Sequence, residues 1–436
     1  MATHEQILRN DEINNMQING LIKQPKVFNN IFRAFKYRNY SLYFTGQGIS
    51  LIGFWMQQIA LSWLVYHMTN SEFLLGLVGF SNLIPFLFFT PLGGILADRI
   101  NRRRILITIQ TLSMIQAGIL TYLTFTGIIN IGYIIGLSIF MGIINSIEAP
   151  TRQSFVTDIV EKKEDLGNAI ALNSTMFNTS RLIGPPVAGL IIAAAGEKIC
   201  FLINTITYLA VLISLFSMKI IPKNKNNQKT KGLKAFQEGF NYAFSFKPVK
   251  YILFLVGFVG LMGTPYIVLL PVFAKNILHG GPNTFGLLMG AAAFGSIIGN
   301  IYIASKTKVI GLWKIIPYAT AILGLGIILF SQSTVLWISL LLLLLTGFGM
   351  ILQMIVCNTV IQTIVDDDKR GRVMSFYSMA FMGIMPLGSL LAGFMASHIG
   401  AQSTLLMAGI SCFLAAFIFK NRLSVFDSIV INETEN

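Results

Sequence analysis

Twelve stretches of about 20 mostly apolar residues run through this chain, the length a helix needs to cross the hydrocarbon core of a bilayer. They fall roughly at 41–67, 73–97, 105–126, 129–148, 168–194 and 200–218, then at 251–274, 283–304, 315–331, 334–363, 373–397 and 401–419. Backbone groups in lipid must be satisfied within the segment, so each stretch reads as a helix and the chain as an all-α membrane protein. Composition agrees. Only 11% of the 436 residues are charged, against about 25% in soluble domains, and 54% are apolar. Disordered tails, disulfide scaffolds and collagen-like fibres are excluded on the same grounds.

The cations fix an expected orientation. Arg9, Lys23, Lys26, Arg33, Lys36 and Arg38 precede the first span, and Arg99, Arg102, Arg103 and Arg104 follow the second. Arg152, Lys162 and Lys163 follow the fourth, eight lysines from Lys219 to Lys250 the sixth, and Lys306, Lys308 and Lys314 the eighth. Lys369, Arg370 and Arg372 follow the tenth, and Lys420 and Arg422 the twelfth. On one side of the membrane stand 29 of the 32 cations; Lys198 and Lys275 lie opposite, and Arg181 lies within a span. This is the positive-inside pattern, so both termini are expected in the cytoplasm of a multi-pass inner (plasma) membrane protein. The net charge of +14 is spread over seven segments without a DNA-binding motif, which removes nucleic acid as a partner. Cys200, Cys357 and Cys412 lack paired spacing and read as inert core residues; no metal or cofactor is expected.

The long cationic connection separates six spans from six. The expected organisation is a tail with an interfacial helix at 1–40, a six-helix bundle at 41–218, a linker at 219–250, a second bundle at 251–420 and a tail at 421–436. Residues 1–28 lack the apolar core of a signal peptide, so the first span is expected to direct insertion. An internal duplication shows when Val160 is set on Val365. With a one-residue deletion, Gly184, Ala188, Gly189 and Gly196 then fall on Gly388, Ala392, Gly393 and Gly400, small residues that predict the same close helix contact in each half.

After the second span the sequence reads Gly93, Gly94, Ile95, Leu96, Ala97, Asp98, Arg99, Ile100, Asn101, Arg102, Arg103, Arg104. An acid at a helix end, a tight turn and basic residues can bind a neighbouring helix terminus and hold one face shut; Asn101 suits the turn because Asn tolerates left-handed angles. This closely resembles the cytoplasmic loop motif of the major facilitator superfamily, with Gly94, Asp98, Arg99, Arg102 and Arg103 on motif positions and Asn101 where Gly is usual. The second-half counterpart, Gly299 to Lys306, lacks the acid. The runs RAFKYRNYSLYFTGQ from Arg33, GFWMQQIALSWLVY from Gly53, APTRQSF from Ala149, AIALNS from Ala169 and RLIGP from Arg181 resemble a drug and siderophore exporter branch that includes the enterobactin exporter, macrolide efflux proteins and, more distantly, lysophospholipid flippases. Glu148 stands where an Asp is common.

The resemblance implies twelve transmembrane helices in two pseudo-symmetric six-helix bundles around a central cavity lined by spans one, four, seven and ten, with a small-molecule substrate and no enzymatic chemistry. The sequence has no phosphate-binding loop, so an ion gradient or the cargo's own gradient must drive transport. Arg181 sits near the midplane of span five, where a cation needs a function or a partner, and Glu148 is the nearest acid that could answer it. Protonation of Glu148 would then release Arg181 for an anionic cargo group; the alternative is that Glu148 pairs with Arg152 one turn on. Asp98 is the other coupling candidate. Candidate cavity residues are Gln47, Phe54, Gln57, Gln58, Asn145, Asn178, Arg181, Tyr266, Gln353 and Tyr377, each polar one also able to make an interhelical bond. Pro85, Pro91, Pro185, Pro186, Pro265, Pro271 and Pro386 should bend or loosen helices. The expected function is proton-coupled export of an amphipathic drug, siderophore or related metabolite. Two alternatives stand beside it: a lysophospholipid flippase or uncoupled facilitator in contact with membrane lipid, and a non-transporting sensor or scaffold, for which a large cytoplasmic domain would be expected.

Overall fold

The computed structural model describes residues 32–219, 232–306 and 311–426, with backbone alone for 232–238. The polar tail at 1–28 and the run from Lys223 to Lys231 lie outside the described residues. The first half comprises α1 (Arg38–Thr69), α2 (Glu72–Arg99), α3 (Arg102–Phe125), α4 (Ile131–Ile159), α5 (Lys163–Ala195) and α6 (Glu197–Ser217). A helix α7 (Gly232–Ser245) precedes the second half, which comprises α8 (Lys247–Met262), α9 (Tyr266–Val272), α10 (Pro282–Ala304), α11 (Ile315–Gln332), α12 (Leu336–Ile364), α13 (Asp367–Met382), α14 (Met385–Ile399) and α15 (Ala401–Lys420).

Helix boundaries follow local chemistry. Ser71 accepts the Leu74 N–H to cap α2, and Asn130 accepts the Tyr133 N–H to cap α4. Asn101 corrects its expectation: its backbone is extended, φ −63°, and its side chain caps α3 by accepting the N–H groups of Arg103 and Arg104. Asn at this position serves a helix start, not a left-handed turn. Within the described part of the expected interfacial helix, Arg33–Lys36 form a 3₁₀ turn before α1 begins. The expected linker at 219–250 includes the amphipathic α7, which packs on α13 with the Phe240 and Phe376 rings 5.9 Å apart.

Among the described residues eleven helical segments are long and apolar enough to cross a membrane, one fewer than the sequence reading. The fifth expected span is present as the 33-residue α5 but misses that measure. Asn168, Asn173, Asn178 and Arg181 dilute its apolar content, and packing against both α1 and α10 gives it partners other than lipid. Two spans are interrupted. Gly263, Thr264 and Pro265 separate α8 from α9, which runs on as a π turn over Phe273–Ile277, and Gly383 and Ile384 separate α13 from α14.

Contacts repeat between halves. In the first, α2 packs on α4, α1 on α5 and α6, and α3 on α6; in the second, α10 packs on α12, α8 on α13, α14 and α15, and α11 on α15. The halves meet where α2 packs on α14 and α5 on α10. The small residues aligned by the duplication lie at these equivalent contacts. A Cβ on Gly184 would come 2.6 Å from the Trp55 Cβ on α1, while one on Gly388 would strike the Leu261 carbonyl of α8. Gly196 and Gly400 both end their helices at φ +81°.

Candidate functional site

The molecule has a cationic end, where Arg102, Arg103 and Arg104 begin α3, and a far end, where α1 stops at Asn70. Close contact between the halves concentrates toward the far end. Gly76 on α2 and Gly393 on α14 approach to the point that a Cβ on Gly76 would lie 2.6 Å from the Ser389 carbonyl oxygen and 2.8 Å from the Gly393 Cα. Gly189 on α5 sits equally close to Pro282, at the start of α10. Asn276 donates to the Tyr66 hydroxyl at 2.6 Å and Lys275 to the Asn70 side chain at 2.7 Å, both across the halves. Trp63 and Phe285 stack at 6.3 Å just inside. Toward the cationic end, Ser174 and Thr175 on α5 and Gln362 and Thr363 on α12 are exposed. The three hydroxyls bond back to carbonyls of their own helices, and Gln362 and Thr363 stand in the last turn of α12, so this end presents polar side chains where the far end presents close backbone contact between the halves.

Midway along α5, four side chains form a continuous row of contacts with α1 and α4. The Arg181 guanidinium lies 5.7 Å from the Trp55 ring, the Trp55 and Phe177 rings are 5.7 Å apart edge to face, and the Arg152 guanidinium lies 5.7 Å from the Phe177 ring. Phe54 adds an edge contact to Trp55 at 5.8 Å. Glu148 takes the second of its two expected partners, and it lies deeper in its helix than the span expected at 129–148 implies. Helix α4 runs on to Ile159, so Glu148 is about 16 Å from that helix end at 1.5 Å per residue, and not near the inner end. Its ion pair is with Arg152, at 4.0 Å, supported by Gln110 at 3.4 Å, and not with Arg181. The i,i+4 spacing on one helix face brings Arg152 to Glu148 without any tertiary fitting. Arg181 makes no ion pair among the described residues.

The other candidates divide. Gln57 donates to Gln116 at 3.0 Å and accepts from Asn204 at 2.8 Å, an interhelical network among α1, α3 and α6 that uses its amide fully. Gln58 accepts from Asn82 at 3.4 Å. Tyr377 donates to the Met354 carbonyl at 2.7 Å, and Gln353 is buried with its amide 3.7 Å from the Cys357 sulfur. Gln47 and Tyr266 are buried, Asn145 is half-buried, and Asn178 donates to the Ser174 carbonyl of its own helix. Gln57, Gln353 and Tyr377 are thus held in packing contacts, whereas Phe54, Gln58, Asn145, Asn178 and Arg181 stay partly exposed.

The cationic loop is tied to its own half. Arg102 pairs with Asp158 at 2.9 Å and donates to the Ser154 and Ala97 carbonyls, while Arg103 caps α6 through the Leu215 and Phe216 carbonyls. Asp98 and Arg99 are exposed, and Asp98 makes no ion pair among the described residues. Gly94 has open space where a Cβ would stand; Gly93 is the close-packed glycine, against Ser146 and Ile147 of α4. Sequence reasoning missed a second anchor. Asp165, buried before the span proper, accepts from Tyr37 at 2.6 Å and pairs with Lys36 and Arg33. The Lys36 hydrogen bond, with that of Tyr37, holds the Asp165 carboxyl below its ordinary 3.8, and Asp165 in turn raises Lys36. It also missed Trp55 and Phe177, whose only signal was an aromatic on each of two helices flanking a lone arginine.

The family model described as a transmembrane secretion effector, a branch of the major facilitator superfamily, matches residues 31–434. The chain belongs to this family. A staphyloferrin A transporter of Staphylococcus aureus is 30% identical to this transporter over 87% of the chain and 96% of its own length. Macrolide efflux protein A of Streptococcus pyogenes is 23% identical over 86% and 94%. Among solved structures, a bacterial homolog of the human lysosomal transporter Spinster, inward-facing and unoccupied, superposes with a TM-score of 0.71 at 16% identity, covering 90% of this chain and 98% of its own. A D-xylose–proton symporter gives 0.69 at 15%, covering 88% and 97%. The sequence relatives are membrane transporters and not enzymes, and the transporter fold is that of the superfamily.

Proposed function

We propose that this transporter exports amphipathic small molecules, such as a drug, a siderophore or a related metabolite, by alternating access coupled to proton entry. In this reading it sits in the inner membrane with the cationic end and both termini in the cytoplasm, and its two bundles, 41–218 and 251–420, rock about the cavity between them. One observation carries the reading: the halves meet in backbone-close contacts at the far end, whereas toward the cationic end Ser174 and Thr175 of α5 and Gln362 and Thr363 in the last turn of α12 are exposed. Cargo enters from the cytoplasm and leaves when the seal opens, while Asp98, unpaired in this state, latches the cationic end shut. The relatives named for a siderophore and for macrolide efflux support the cargo class.

Coupling is assigned to Glu148. Its carboxylate holds Arg152 beside the stack, and a proton arriving from the far side would release Arg152 and discharge the pair. Dye and siderophore accumulation in cells with and without the transporter, with and without an uncoupler, tests the proposal. Retention is expected to fall only in energised cells making the transporter, and Glu148→Gln is expected to lose the uncoupler effect. Unchanged retention of every cargo, together with movement of lysophospholipid, would overturn export in favour of a flippase.

A further inference from the structure

Arg181 is a cation near the middle of the first half's least apolar span, and nothing in the protein neutralises it among the described residues. A bracing arginine would show a carboxylate or carbonyls on its fork; this one shows the face of Trp55. No carboxylate or carbonyl takes up its N–H groups among the described residues, and these are the donors that bind carboxylates two bonds at a time. Two further donors stand without acceptors. The Trp55 Nε1 is buried with no hydrogen-bond partner, and so is the hydroxyl of Tyr266, a residue only 1% exposed. Tyr266 belongs to α9 in the other half, and α9 packs on α1, the helix that carries Trp55. Gly184, one turn beyond Arg181, admits the Trp55 Cβ and fixes the indole against α5.

Three donors and no acceptor make an incomplete set whose natural complement is an anion with two acceptor oxygens. Glu148 does not supply it, being engaged by Arg152. We propose that Arg181, the Trp55 indole N–H and the Tyr266 hydroxyl form a subsite for a carboxylate of the cargo. The inference rests on the export reading and deepens it. Cargo bodies lie along the Trp55–Phe177 aromatic pair and place a carboxylate on the arginine. Because Tyr266 comes from the second half, a carboxylate held there bridges the halves and binds tightest when the far end is shut, so the subsite loads from the cationic side.

The test uses the full chain in lipid nanodiscs and a matched probe pair, 1-naphthylacetate and neutral 1-naphthylacetamide, by equilibrium dialysis. The acid is expected to bind about tenfold more tightly than the amide, a charge-assisted preference that Arg181→Gln should abolish by weakening the acid alone. Trp55→Phe and Tyr266→Phe should each cut the preference about threefold, and Arg181→Lys should keep part of it, showing that the site still folds. Equal binding of acid and amide by the unaltered protein, or full preference in Arg181→Gln, overturns the subsite. Dye export by the unaltered protein is measured in parallel. Export without carboxylate preference counts against the subsite alone, and preference without export of any cargo counts against the export reading alone.

Discussion

Glu148 and Arg152 on α4 stand where Gln353 and Cys357 stand on α12, by the same register that sets Val160 beside Val365. Each pair is one helical turn apart and in contact, Arg152 to Glu148 at 4.0 Å and the Gln353 amide to the Cys357 sulfur at 3.7 Å. Backbone geometry is shared; charge is not. The first half keeps its ion pair in the row that includes Arg181, while the second buries a neutral pair in an apolar core. Continuity is divided the other way. α1 and α5 are unbroken, whereas their counterparts are split into α8 with α9 and α13 with α14. One half carries the ion pair and the other carries the bends, so the proposed proton coupling falls to the first half and compliance to the second.

The sharpest way to break this contrast is to erase it. Glu148→Gln with Arg152→Cys gives the first half the neutral pair of the second; uncoupler-sensitive export should fall about tenfold or more, a loss of one stabilising charge interaction in the working cycle. Transport that persists unchanged would remove the division of labour. The reverse exchange, Gln353→Glu with Cys357→Arg, places two charges where side chains are about 1% and 0% exposed. Desolvation should cost about 2–4 kcal/mol and lower the melting temperature in nanodiscs, unlike the same pair in the first half. Next come the equivalent glycines. Gly388→Ala drives a methyl against the Leu261 carbonyl, and Gly184→Ala drives one against the Trp55 side chain, so both should destabilise by about 1–3 kcal/mol, the former more because backbone yields less.

The smallest effect concerns the entry segment. Asp165, held below 3.8 by Lys36 and Tyr37, contributes its anchoring fully above about pH 4 and loses it only as pH falls through its lowered value. Its register partner is Arg370, which pairs with Asp367 instead. Asp165→Asn should raise proteolysis near Lys36 at neutral pH and leave export close to normal, whereas the unaltered chain should gain comparable sensitivity only in strong acid.

Much of the fold was legible because the bilayer imposes simple rules. Apolar length marked the spans, cations marked the ends, and the small residues from Gly184 to Gly196 and from Gly388 to Gly400 marked the helix contacts the structure contains. What failed depended on side-chain choice among local options. Asn101 could turn or cap, and capping prevailed because α3 needed its first N–H groups satisfied. Glu148 could reach Arg181 or Arg152, and the near partner on its own helix prevailed. The Arg181–Trp55 stack was unreadable, since it depends on how α1 and α5 register in space, which neither helix records alone.

The far-end seam, where Gly76 lies on Gly393 and Gly189 on Pro282, has main chain against main chain with no side chain between. At these glycines natural variation has nothing to adjust, since any larger residue props the backbones apart; only the flanking side-chain contacts, Tyr66 with Asn276 and Asn70 with Lys275, can be retuned. Descendants of this protein that acquire new cargoes must therefore change side chains elsewhere and leave these glycines untouched, so the seam should be the last place where such lineages diverge.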